Sequence, residues 1–94
     1  MTQILLSDLA VEQLRNMPPP IGRAMLDALQ RLRTFPQSAP TISLEGYESY
    51  RQLIVRSYRA IYHYTEEENE VRIYCIVHAR RRLPASEFLS HQVF

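Results

Sequence analysis

The residues best suited to chemistry in this sequence are arginines, and they are concentrated in its second half. The chain has 94 residues, and all eleven of its basic residues are arginines. Seven of them fall between positions 51 and 82, namely Arg51, Arg56, Arg59, Arg72, Arg80, Arg81 and Arg82. A planar guanidinium binds pairs of phosphate oxygens and stacks on bases better than a lysine ammonium does. The clustering therefore favours a phosphate-rich target, although a net charge of +1 alone does not.

Two side chains that can move protons lie close to these arginines in sequence. Tyr74 and His78 belong to the last apolar stretch, and Arg80 to Arg82 follow it almost directly. An arginine can bind a scissile phosphate and stabilise the charge added in its transition state. A histidine changes protonation near neutral pH and can act as an acid or a base. The set fits an endoribonuclease site, and the alternative is a solvated arginine-rich sheet that binds only a protein partner.

No other motif predicts a metal, a cofactor or a nucleophile site. Cys75 and His78 have C-x-x-H spacing, but no second pair of ligands lies nearby in sequence. A lone cysteine within an apolar strand is usually a small buried side chain. The chain has two glycines and therefore no glycine-rich phosphate loop. We expect neither a metal ion nor a cofactor.

The first half of the chain predicts one strand followed by two helices. The apolar residues 3–6 are enough for one strand, and Ser7 or Asp8 can cap the helix that follows it. Three consecutive prolines, Pro18 to Pro20, end that helix, because proline cannot continue a helical ladder. A second helix starts at the second or third of these prolines and ends before Pro36. The pair forms a hairpin with a tight joint.

The second half predicts three strands, because its pattern changes from helical to alternating. Residues 36–48 have the composition of a loop. The segments 50–56, 58–64 and 71–77 are rich in β-branched and aromatic residues and form consecutive antiparallel strands. Residues 83–89 can form a short final helix.

The order of elements, β-α-α-β-β-β, predicts a small α+β fold. The N-terminal helix hairpin covers one face of a mainly antiparallel four-stranded sheet, and the first strand lies beside a C-terminal strand. A length of 94 residues fits a single domain, 1–94. No segment has the length or composition of a membrane span or a signal peptide, so we expect a cytoplasmic protein that does not bind membranes.

Strand alternation assigns the arginines to the sheet face that the helices leave open. In the last strand Val71, Ile73, Cys75 and Val77 share the core face, and Arg72, Tyr74, Ile76 and His78 share the other. Arg51 points toward the core or an edge. The open face is then predicted to hold Arg56, Arg59, Arg72, Tyr74 and His78, with Arg80, Arg81 and Arg82 at its rim.

The strand segments resemble the RelE/ParE superfamily of bacterial toxins. Its pattern of Arg-x-Leu-x-Val, a small residue and Tyr-Arg-x-x-Tyr is found from Arg51 to Tyr62, and an apolar strand ending in His-x-x-Arg is found at His78 to Arg81. The resemblance covers essentially the whole chain. It implies the toxin of a type II toxin–antitoxin system, with a cognate antitoxin wrapped around its functional surface. Operator DNA would be bound only through the antitoxin.

The resemblance leaves three activities open. RelE-like members cleave messenger RNA in the ribosomal A site, ParE-like members inhibit DNA gyrase without chemistry of their own, and an inactive member would serve antitoxin binding and operon control. By resemblance, Arg59 and Arg81 are candidate catalytic residues, and His78 joins them as the proton-transfer group. The candidate substrate-binding residues are Arg56, Arg72, Tyr74, Arg80 and Arg82. Leu83-Pro84 stands where many RelE-like enzymes have a tyrosine, which departs from the ribonuclease pattern.

Overall fold

The computed structural model describes all 94 residues. It contains four strands and three helices, in the order β1 (Gln3–Leu6), α1 (Asp8–Arg15), α2 (Pro19–Arg31), β2 (Arg51–Val55), β3 (Tyr58–Thr65), β4 (Glu70–His78) and α3 (Ser86–Ser90). This confirms the predicted α+β fold and the short C-terminal helix. None of the helices has the length and hydropathy that crossing a membrane requires.

A capping serine and a pair of prolines determine where the two helices of the hairpin begin. Ser7, not Asp8, is the N-cap of α1, and its hydroxyl accepts a hydrogen bond from the Ala10 N–H at 2.9 Å. The same hydroxyl donates to the carbonyl of Tyr74 at 2.7 Å, so the cap also fixes α1 to β4. Pro19 and Pro20 occupy the first turn of α2, where a missing N–H costs nothing.

The sheet is mixed, with the strand order β1-β4-β3-β2. β1 lies beside the C-terminal strand β4, as predicted, and pairs with it in parallel, whereas the other two pairs are antiparallel. The link between β2 and β3 has only two residues, Arg56 and Ser57. Arg56 has a φ of 56°, a left-handed conformation that is uncommon for a residue with a side chain.

The main core lies between the helix pair and one face of the sheet. Met25, Leu29 and Leu32 from the second helical segment pack with Tyr62 and Ile73 from the strands, and all five are buried. The Tyr62 hydroxyl donates to the carbonyl of Pro36 at 2.9 Å, which satisfies its polar group inside an apolar environment.

A bulge in β4 reverses the faces of its second half. Tyr62 pairs with Ile73 but its neighbour Ile61 pairs with Cys75, so Tyr74 is an extra residue without a partner in β3. Residues after the bulge therefore point to the opposite side from the one that simple alternation predicts. The prediction that Cys75 belongs to the helix-facing core is wrong.

The same shift moves the other residues that follow the bulge. Ile76 packs in the helix-facing core, and His78 follows it on that side, with its ring against Tyr58. Val77 packs with Cys75 on the reverse side. The prediction that His78 shares a face with Arg72 is therefore wrong.

The sheet face away from the helix pair is also covered in its centre. A second apolar cluster consists of Ile42, Tyr50, Ile61, Cys75 and Leu89, all buried. The loop before β2 supplies the first two of these residues, and α3 supplies the last. The prediction of an open reverse face is wrong here, because a loop and a five-residue helix supply apolar cover that strand alternation does not reveal.

Candidate functional site

Four exposed arginines gather at one end of the sheet. The tip of the β2–β3 turn meets the end of β4, where the Ala79 N–H donates to the carbonyl of Ser57 at 2.7 Å. This contact brings the turn residue Arg56 close to the segment that follows β4. We call the exposed residues Arg56, Arg80, Arg81 and Arg82 the arginine pole.

The arginine pole is not neutralised by acidic side chains. The two salt bridges in the structure join Arg15 to Glu12 and Arg72 to Glu70, and neither involves this group. The acidic turn Glu66–Glu68 lies at the other end of the β3–β4 hairpin. A strand of eight residues separates the two ends by about 25 Å. The hairpin is therefore positive at one end and negative at the other.

Arg59 lies between the arginine pole and the reverse face of the sheet. Its Nη1 donates to Oε1 of Gln52 at 3.3 Å, and its Nη2 donates to the main-chain carbonyl of Arg81. Its Nε is buried and has no hydrogen-bond partner. The guanidinium is thus largely engaged within the protein, and it fixes the position of the segment that carries Arg81.

His78 lies on the helix side of the sheet. Its ring centroid is 5.4 Å from that of Tyr58 in an edge-to-face arrangement. Its Nδ1 accepts a hydrogen bond from the Arg80 N–H at 3.2 Å. This contact assigns Nδ1 as an acceptor in the neutral ring, so Nε2 carries the proton and is the atom available to a ligand.

A cleft of about 350 Å³ opens between α1 and the end of β4. Its lining residues are Gln13, Asn16, Met17, Tyr58, Ile76, Val77, His78 and Arg81. His78 and Arg81 thus line one concave site, at the end of the sheet that carries the arginine pole. Arg59 reaches this site only indirectly, through the carbonyl of Arg81.

Arg72 and Tyr74 lie apart from this cleft. Arg72 donates from Nε to Oε1 of Glu70 at 2.6 Å, and its guanidinium lies 5.3 Å from the ring centroid of Phe94. The hydrogen bond that Arg72 donates to the Glu70 carboxylate raises the pKa of Arg72 further above its usual value. Tyr74 packs edge-to-face between Tyr50 and Phe94, and burial raises its pKa. The structure therefore places these two predicted substrate-binding residues away from the cleft and from the arginine pole.

The thiol of Cys75 is unreactive in the folded protein. It is buried in the second apolar cluster, and desolvation raises its pKa to about 12. A thiol with such a pKa stays protonated near neutral pH and is a poor nucleophile or metal ligand. No group of three or more histidine, cysteine, aspartate or glutamate side chains is placed to hold a metal ion.

Sequence inspection missed the residues that complete the cleft. Gln13 and Asn16 lie at the end of α1, at least 60 residues before Ile76 of β4, and only the folded structure brings them together. The Gln13 side chain accepts from the Ile76 N–H at 2.7 Å and covers an otherwise free edge of β4. Tyr58 was within the Tyr-Arg motif, and its place beside His78 depends on the bulge.

Comparisons with known proteins agree with this architecture. A family model described as "ParE toxin of type II toxin-antitoxin system, parDE" matches residues 4–83. No curated protein matches the chain.

Several solved structures share the fold. The RelBE2 toxin–antitoxin complex of Mycobacterium tuberculosis matches with a TM-score of 0.74 and 20% identity over 82% of this chain and 96% of that one. Isolated Escherichia coli RelE matches with a TM-score of 0.73 and 17% identity, covering 87% and 88% of the two chains. The archaeal RelE–RelB complex from Pyrococcus horikoshii matches with a TM-score of 0.66 and 21% identity, over 86% and 98%. At these identities the likeness concerns the fold.

Proposed function

This chain belongs to the ParE family of toxins of type II toxin–antitoxin systems, and from that premise we propose that it inhibits growth by cleaving messenger RNA on the ribosome. The observation that carries the proposal is the arginine pole. Four exposed arginines without acidic partners lie at the end of the sheet where the cleft opens, and one of them, Arg81, lines this cleft together with His78. Such a group suits the closely spaced phosphates of a single RNA strand.

The proposed chemistry uses the ribose of the RNA as the nucleophile. The 2′-hydroxyl attacks the adjacent phosphorus, its proton passes to water, an O2′–P bond forms and the P–O5′ bond breaks. His78 acts as the general acid: protonation of Nδ1 replaces its contact with the Arg80 N–H, and the ring then donates its Nε2 proton to the leaving 5′-oxygen. Arg81 binds the phosphate and stabilises the charge added in the transition state. Arg59 is the positioning residue, because it fixes the main chain at Arg81.

Arg56, Arg80 and Arg82 bind the flanking phosphates in this proposal. They act through charge, so their contribution depends on salt, since RNA binding releases counterions. Arg72 and Tyr74 have no part in it, because they lie against Glu70 and Phe94 instead.

Primer extension on cellular messages after induction of the toxin tests this function. We expect new 5′ ends within translated regions, and their loss when Arg81→Ala is expressed. Arg23→Ala is the matched control, because Arg23 is exposed on α2 and belongs to no salt bridge. Cleavage that persists unchanged in Arg81→Ala would contradict the proposed site.

A gyrase inhibitor is the second candidate function. The observation in its favour is Leu83-Pro84, which replaces the tyrosine that many RelE-like enzymes carry after the arginine run. Purified toxin would then block DNA supercoiling by gyrase and leave messages intact. Supercoiling that is unchanged at saturating toxin would exclude this candidate. An inactive homologue kept for operon control would produce neither effect and no growth arrest.

The antitoxin is the expected partner, as in the RelE–RelB complexes to which the fold is similar. We propose that it covers the arginine pole with acidic residues and inserts apolar side chains into the groove between α1 and α3. That groove, about 500 Å³ in volume, is lined by Leu9, Val77, Pro84 and Phe88 among others. Operator DNA is then bound only through the antitoxin. Loss of co-purification with the adjacent gene product in Phe88→Asp would support this surface.

A further inference from the structure

We propose that the cleft between α1 and β4 binds one nucleobase of the RNA and so gives cleavage a nucleotide preference. The inference rests on the proposed ribonuclease function and names the subsite that selects its substrate. It concerns the nucleotide whose phosphate is held by Arg81, since Arg81 lines the same cleft.

The size and lining of the cleft suit a planar heterocycle. Its volume of about 350 Å³ falls within the roughly 300–1,000 Å³ typical of small-molecule sites. Met17 and Ile76 are buried and form an apolar floor. Tyr58 and His78 are half-buried and add two rings at an angle of 64°. Aromatic rings beside a nucleic-acid strand bind bases by stacking, whatever the base.

Two amide side chains at the end of α1 can recognise the edge of that base. The Gln13 Oε1 is occupied by the Ile76 N–H, which leaves its amide NH₂ group as a donor. Asn16 is exposed at the rim of the cleft and offers both a donor and an acceptor. Amides of this kind form hydrogen bonds with the polar edges of bases.

The end of α1 also determines which part of a nucleotide fits there. Asn16 follows the last turn of the helix, where main-chain carbonyls give a partial negative charge. A phosphate is disfavoured at this position, and an amino group is favoured. The nucleotide is therefore oriented with its phosphate at Arg81 and an exocyclic amino group toward Asn16. Adenine, guanine and cytosine carry such a group, and uracil does not.

The test uses purified toxin and ribosomes programmed with a message that has one strong cleavage site. Three messages differ only at the nucleotide before the break, which is adenosine, uridine or an abasic ribonucleotide that keeps its 2′-hydroxyl. We expect cleavage of the abasic message to be at least about tenfold slower than that of the adenosine message, as the loss of one stacked base implies. Uridine should give an intermediate rate.

Variants of the toxin test whether the cleft causes the differences in cleavage rate between these messages. Tyr58→Leu should remove most of the difference between adenosine and abasic messages, and Asn16→Ala should remove the preference for adenosine over uridine. Gln30→Ala, an exposed amide on α2, should leave both differences unchanged. Equal cleavage of all three messages by the unmodified toxin would overturn the subsite and leave the ribonuclease function intact. No cleavage of any message would overturn both.

Discussion

The guanidinium of Arg59 donates a hydrogen bond to the main-chain carbonyl of Arg81, a residue 22 positions further along the chain. The contact joins the reverse face of β3 to the segment after β4, which carries Arg80, Arg81 and Arg82 of the arginine pole. Because the acceptor is a main-chain atom, changing the Arg81 side chain leaves the contact in place. The two arginines can therefore be tested separately: Arg59 for the position of the segment after β4, and Arg81 for the charge that binds the phosphate.

Arg59→Ala should release the segment after β4 and slow RNA cleavage by at least about tenfold. The lost charge-assisted hydrogen bonds should also lower the free energy of unfolding by about 1–2 kcal/mol. Arg59→Lys should restore charge but not the position of Arg81, because a lysine cannot reproduce two donors in a fixed plane. Cleavage rates and urea unfolding of both variants would measure this, and a fully active Arg59→Lys would contradict the positioning role.

Ser7→Ala should destabilise the protein by about 1–2 kcal/mol, because it removes the cap of α1 and leaves the Ala10 N–H without its partner. The buried hydroxyl also bonds the Tyr74 carbonyl, which adds to the effect. Asp8→Ala is the control, since Asp8 is exposed in the first turn of α1. Its substitution should lower the free energy of unfolding by at most a few tenths of a kcal/mol. Urea unfolding midpoints would show the difference, and equal midpoints for the two variants would disprove the assignment of the cap.

Leu89→Ala should lower the free energy of unfolding by about 2–5 kcal/mol, because Leu89 is fully buried on the reverse face of the sheet. Leu44→Ala is the matched control, since 55% of Leu44 is exposed. Its substitution should change the free energy of unfolding by no more than about 0.5 kcal/mol. If both variants unfolded alike, the second apolar cluster would not be part of the folded protein in solution.

The stability of the protein should fall as pH rises above about 9. In the folded chain the Cys75 thiol keeps its proton up to a pKa of about 12, while in the unfolded chain it loses that proton near its ordinary value of about 8.5. Between these values the unfolded state binds fewer protons, so alkali favours unfolding. Burial raises the pKa of Tyr50, Tyr62 and Tyr74 and adds to the trend.

Cys75→Ala should reduce this alkaline loss, which unfolding curves at a series of pH values would reveal. In the unmodified protein a thiol reagent at pH 8 should react with Cys75 only after urea is added. Rapid labelling of the native protein would show that the thiol is not buried as described.

The sequence predicted the elements of this fold well where the signals are local. The three prolines end α1 and start α2, the Ser7 cap lies within its own turn, and β-branched and aromatic runs form the strands. Each of these depends on residues a few positions apart. Arg51, which alternation directs toward the core or an edge, pairs with Tyr62 of β3 and donates to the carbonyl of Ala39 at 2.7 Å.

The candidate site was less predictable because it depends on one extra residue and on distant segments. Nothing in the sequence around Tyr74 indicates a bulge. This extra residue nevertheless places His78 on the helix side of the sheet instead of the reverse face that alternation predicts. Gln13 and Asn16 meet β4 only through the packing of α1. Alternation assigned Arg72 to the same face as the other arginines, but its side chain is paired with Glu70. Alternation alone cannot supply any of these relationships.

The initial rate of message cleavage by purified toxin on programmed ribosomes measures whether Arg81 and His78 perform the chemistry. We expect measurable cleavage by the unmodified toxin and by Arg23→Ala. Arg81→Ala and His78→Ala should each lose at least about a hundredfold in rate, with unfolding curves close to those of the parent protein. Equal rates for all four proteins, or no cleavage by the unmodified toxin, would contradict this assignment.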